Sequence, residues 1–158
     1  SLYRYFQWAD DMRRQFLALI LEGPVGRMQR AGLTKAEAFA RVQSDAEMRG
    51  LLLALLYAFP YMSYYYGGMY AVIEAWGTPR FPYSDPGIDT LLQSPLVARL
   101  ERHRNGAFHA HPEYFDDRLL EFVNEMESEE WLDCVHAAFA RWFRYNLKLT
   151  SHEGPQGR

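Results

Sequence analysis

Arg104, Asn105 and His109 set a guanidinium, an amide and an imidazole within about one and a half turns of a helix. Arg99, Arg102 and His103 lie just upstream, so positions 99 to 104 hold four basic side chains in a chain of formal net charge -3. A local basic patch on a mildly acidic protein suits an anion better than a generally adhesive surface. Arginine grips phosphate with a planar fork, and histidine moves protons near neutral pH. Together they have the chemistry to hold or cut a phosphodiester. On an ideal helix Asn105 and His109 share a face, whereas Arg104 and His109 are turned by roughly 140°. A long arginine partly spans that angle, loosening at Gly106 helps, and a second copy of the chain offers another route.

The elements that position these residues read as helices. Phe6, Phe16, Leu17, Ile20 and Leu21 recur among charges over 3–22, and Gly23-Pro24 ends that run. Thr34 and Glu37 form a capping box for a helix expected to reach towards Pro60, with a further helix over 61–76. Asp85-Pro86 and Ser94-Pro95 each open a helix, the second running into Arg104, with Gly106 and Pro112 bracketing its end. Leu119, Phe122, Val123 and Met126 share one face of 116–127. The last helix begins at Ser128 and turns Trp131, Leu132, Val135, Phe139 and Trp142 inwards. The expectation is an all-α bundle of about five to six helices: a single domain over 1–150, then a flexible C-terminal tail at 151–158.

Arg104-Asn105, three residues and His109, at the end of a helix in a small all-helical protein, resemble the HEPN superfamily. The motif of that family is an arginine, four to six residues of which the first is commonly polar, and a histidine. The wider stretch 102–115 is similar to uncharacterised bacterial HEPN-like proteins. The resemblance implies a homodimer with its motifs facing across a shared cleft, and a metal-independent endoribonuclease of the toxin or defence type. On that pattern His109 activates the ribose 2′-hydroxyl, Arg104 holds the scissile phosphate and Asn105 orients the pair. Arg99, Arg102, His103 and His111 are the expected substrate contacts. RNA is then the partner, a cognate antitoxin accompanies it, DNA is spared, and no cofactor is needed. Position 111 departs from the pattern, because many active toxins carry tyrosine there. The same resemblance also admits an inactive module that binds RNA, a nucleotide or a protein.

Simpler readings stand beside these. Arg104 can pair with Asp116 or Asp117, and His109 can cap helix carbonyls. His103, His109, His111 and Glu113 are possible zinc or nickel ligands, but no more distant ligand joins them and no metal is expected. Tyr57, Tyr61, Tyr64, Tyr65, Tyr66 and Tyr70 can stack on unpaired bases, and suit a core or an oligomer interface better. Glu74, in the same apolar segment, needs a partner or a way to the surface. Cys134, the single cysteine, reads as a small buried residue, excludes an internal disulfide and fits a reducing, cytoplasmic setting. No signal-peptide pattern opens the chain. Gly50 to Ile73 carries no charge, yet six tyrosines, Pro60 and Gly67-Gly68 suit a core helix better than a membrane span.

Overall fold

The computed structural model describes residues 1–34, 37, 45–108 and 117–147. Among them the protein is all-α, with seven helices and no strand beyond an isolated bridge between Thr78 and Phe81. The helices are α1 (Leu2–Glu22), α2 (Pro24–Arg30), α3 (Asp45–Ala75), α4 (Pro86–Leu91), α5 (Leu96–Phe108), α6 (Asp117–Asn124) and α7 (Ser128–Asn146). None of the described helices is long and apolar enough to cross a membrane.

Local chemistry explains most boundaries. Gly23-Pro24 does end α1, but Pro24 then occupies the first turn of α2, where its missing N–H costs nothing. Arg27 and Arg30 of α2 donate back to the carbonyls of Glu22 and Leu21, satisfying acceptors that the end of α1 leaves open. The capping box forms: Thr34 Oγ1 accepts from the Glu37 amide at 3.2 Å, and Glu37 Oε2 accepts from the Thr34 amide at 2.8 Å. Residues 35–36 and 38–44, where the expected helix would run, lie outside the described residues. Asp85 accepts from the amides of Gly87 and Ile88 at 3.0 and 3.1 Å, and Ser94 Oγ from Leu96 at 3.2 Å. The tail 151–158 falls outside the described residues.

Pro60 corrects the expected break. Helix α3 runs unbroken from Asp45 to Ala75 with Pro60 inside it. Proline deletes one backbone donor and crowds the carbonyl four residues earlier. Burial of Ala58, Met62, Tyr65, Tyr66, Met69, Val72 and Ile73 on either side of that fault outweighs the loss. Pro60 itself faces outward. Gly106 likewise does not end its helix: it is buried inside α5, which continues to Phe108.

Helix α3 is the axis of the bundle, with α1 and α5 against it, α6 on α5, and α7 reaching α4 and α6. Met69, Val72, Leu100, Phe122, Leu132, Val135 and Phe139 are almost wholly buried between them. Trp76 donates its indole N–H to Asp89 Oδ1 at 2.8 Å and meets Trp142 edge-on at 5.0 Å, fastening α4 and α7 to the end of α3. Met126, expected on the inner face, lies beyond the end of α6 at 92% exposure. Cys134 is exposed on the outer side of α7, not buried.

Between α1 and α7, the His136 ring stacks on Phe6 at 4.9 Å and meets Tyr65 edge-on at 5.9 Å. Its Nε2 lies 3.1 Å from Asp10 Oδ1, within ion-pair range but outside hydrogen-bonding geometry. Arg13 bonds Asp133 at 2.9 Å alongside. Burial holds the imidazole below its ordinary value of 6.5; the Arg13 cation adds to that, and Asp10 opposes it.

Pro60→Ala restores a donor at an exposed position, so urea unfolding should show a gain of about 1–3 kcal/mol. His136 binds its proton more readily in the unfolded chain, so stability is full above the unfolded value near 6.5 and falls as acid is added below it. His136→Gln should therefore flatten the decline in urea midpoint between about pH 7 and pH 5.

Candidate functional site

Helix α5 distributes its basic residues over three surroundings. Leu96, Leu100, His103 and Gly106 are its buried positions. His103 lies in the core, with Tyr66 edge-on at 5.2 Å and the Phe122 ring at 6.3 Å. It therefore does not join a surface patch, because its position in the turn points it at α3 and α6. Arg99 and Arg102 face α6. Arg99 pairs with Glu125 and approaches Glu121 at 3.9 Å, and Arg102 bonds Glu121 at 2.6 Å. The expected basic patch is thus largely neutralised by the acidic side of the next helix.

Arg104 takes a third direction. Its guanidinium carbon sits 4.8 Å from the Tyr70 ring centroid, and Nη2 lies 3.3 Å from Glu74 Oε1. Both partners belong to α3, and Glu74 is itself 57% exposed in its side chain, so the pair lies at the surface. In this setting the ion pair contributes about 0–1 kcal/mol, and the ring contact adds about as much. Five N–H donors on a guanidinium leave several beyond the one that meets Glu74. Asn105 is half-buried beside it. His109, His111, Glu113 and Asp116 lie outside the described residues. Among the described residues no group of three or more His, Cys, Asp or Glu side chains could hold a metal ion.

Arg104 also lines an open groove of about 670 Å³ where α1, α3 and α5 meet. Tyr5 and Trp8 of α1 form one side, Tyr64 and Glu74 of α3 the base and flank, and Arg104 and Phe108 of α5 the other side. Arg104 and Phe108 are four residues apart and share a helix face. Tyr5 meets Trp8 edge-on at 5.6 Å, and Tyr64 leans on Phe108 at 5.3 Å. Trp8 is 56% exposed and Tyr64 54%, so these rings are not core. A second cavity, of about 460 Å³, opens between α1, α3 and the α6–α7 turn. Its Arg13 and Asp133 are spent on each other, and Arg104 does not reach it.

The tyrosine-rich segment therefore divides. Tyr65, Tyr66 and Tyr70 are buried, whereas Tyr57, Tyr61 and Tyr64 are exposed. The sequence reading missed Tyr5, Trp8 and Phe108. A signal existed: Tyr5, Trp8 and Met12 recur at helical spacing beside the buried stripe of Leu2, Phe6 and Ala9, more apolar surface than one contact needs.

No protein-family model matches the chain, and no curated protein or solved structure matches it.

Because Arg99 and Arg102 are engaged with α6, their loss should register in stability rather than in ligand affinity. Arg99→Ala is expected to lower urea-unfolding stability by up to about 1 kcal/mol, and Arg99→Ala in a Glu125→Gln background to cost little more. A double-mutant cycle measured by urea unfolding checks that coupling.

Proposed function

We propose that this chain is an HEPN-like protein that acts on RNA, as a metal-independent endoribonuclease working at the end of α5. What supports the reading is one observation above all. Arg104 is turned away from the carboxylates of α6 and lines an open groove, five residues before His109 in the sequence. A guanidinium so placed has donors to spare for a phosphate. In the proposed reaction His109 takes the proton of a ribose 2′-hydroxyl, and the 2′-oxygen attacks the adjacent phosphorus. Arg104 offsets the charge gathering on the phosphoryl oxygens, and the 5′-oxygen leaves, taking its proton from water. The products are a 2′,3′-cyclic phosphate and a 5′-hydroxyl, and DNA, lacking the 2′-hydroxyl, is untouched. Asn105 orients the pair. The reading includes a cytoplasmic homodimer whose motifs share a cleft, and a cognate antitoxin.

Glu74 favours a second reading. A carboxylate 3.3 Å from Arg104 competes with any phosphate for that guanidinium, which suits a groove that holds RNA without cutting it.

Incubation of a mixed RNA pool with EDTA-treated protein separates the two. The expected outcome is cleavage that survives chelation, leaves cyclic-phosphate ends and falls by about 10²- to 10⁴-fold in His109→Ala and Arg104→Ala. RNA left intact by folded wild type, yet retained in a filter-binding assay, replaces catalysis with binding.

A further inference from the structure

The groove beside Arg104 has features that phosphate binding does not use. Its walls are aromatic rather than aliphatic, with Tyr5, Trp8, Tyr64 and Phe108 all substantially exposed. Its volume of about 670 Å³ falls among small-molecule sites, typically about 300–1,000 Å³. Among the described residues, two carboxylates and one guanidinium line it: Asp11, Glu74 and Arg104. Exposed leucines of α3, at 53, 55 and 56, stand earlier on that helix and do not line the groove. An interface between two copies would favour a continuous apolar seam with its charges at the rim. A concave aromatic cleft holding both signs of charge fits a flat polar ring with an anionic tail.

We propose that this groove is a subsite for one unpaired guanine nucleotide, a proposal that rests on the RNA reading above and gives it a substrate class. The base stacks on the exposed rings, with Trp8 the largest, and its phosphate lies towards Arg104. Asp11 follows Trp8 by three residues, so its carboxylate stands one turn along the same helix. A carboxylate only accepts hydrogen bonds. Guanine alone among the four RNA bases offers two adjacent donors on its pairing edge, N1–H and the N2 amino group. Adenine and cytosine set a lone pair beside their amino group, and uracil flanks its single N–H with two carbonyls. Asp11 Oδ1 also pairs with Arg14, which holds the carboxylate in place; each carboxylate oxygen carries two lone pairs, so both can still accept from the base. Access to a flat base requires that it be unstacked, so the subsite selects single-stranded segments.

Tryptophan emission reads this directly. Trp8 is more than half exposed, whereas Trp76 is buried and Trp131 and Trp142 are packed against the core. Titration of the full chain with GMP should quench emission saturably. Ribose 5-phosphate should not, and AMP and UMP should bind at least about fivefold more weakly. Trp8→Ala should abolish the quench, and Tyr64→Ala should weaken GMP about tenfold; circular dichroism confirms that both variants fold. Absence of a GMP response, an equal response to ribose 5-phosphate, or indifference to the base overturns the proposal. So does a Trp8 signal that follows protein concentration instead of nucleotide, which marks a contact between copies. GMP binding without RNA binding or cleavage keeps the subsite and removes the RNA reading. RNA cleavage unaffected by Trp8→Ala and Tyr64→Ala, with no GMP quench, does the reverse.

Discussion

Two adjacent glycines on α3 set the spacing on which the rest of the arrangement depends. A Cβ at Gly68 would stand 3.0 Å from the Ala9 side chain, so α1 can lie against α3 only because both positions are small. A Cβ at Gly67 would stand 2.3 Å from the Phe108 ring, so the end of α5 also settles on α3 there. One helix thus receives two neighbours within one residue of each other, on either side of the same backbone. The groove is the gap that remains between them. Gly67 and Gly68 lie in its floor beside Tyr64 and Glu74 of α3, side chains of α1 and α5 form its two sides, and Arg104 sits one turn back from Phe108.

That geometry constrains the charges. Every basic residue of α5 must face α3, α6 or solvent, and the helical period decides which. The acidic side of α6 takes Arg99 and Arg102 through Glu121 and Glu125. Such exposed pairs contribute little stability each. Their larger effect is on the field: they cancel most of the positive potential that the sequence gathers at 99–104. His103 follows the apolar period and enters the core, against Tyr66. Arg104 is left to α3, where an aromatic face and a carboxylate fix its direction.

Features that act over three or four residues were legible in the sequence. The Thr34–Glu37 capping box, the Asp85 cap, the Gly23-Pro24 junction and the inner face of α7 all depend on neighbours along the chain. The features that escaped depend on the third dimension. Pro60 reads as a stop because a single proline costs more than any one neighbouring contact returns; α3 continues because many buried side chains act together. Cys134 reads as buried by residue type, yet its place on α7 turns it outward between Leu132 and Val135, which face in. The tyrosines look alike in sequence, and only the positions of α1 and α5 separate those that are covered from those that are not. Arg104 and Glu74, thirty residues apart, meet because α3 and α5 run side by side.

The Arg104–Glu74 pair has consequences of its own. Held by Tyr70 below and Glu74 beside it, the guanidinium is already ordered, so an incoming phosphate does not bear the full entropic cost of fixing a long side chain. The same carboxylate removes net charge, so a phosphate must share the guanidinium with it. Ordering favours binding, and neutralisation opposes it. At the surface, where water screens both partners, the Coulombic loss is small and the ordering is kept. Water screens the phosphate contact as well, so a ligand contributing only a phosphate gains little ground-state affinity from Arg104. A ligand that also fills the aromatic groove gains its affinity from stacking, and the arginine then fixes where its phosphate lies.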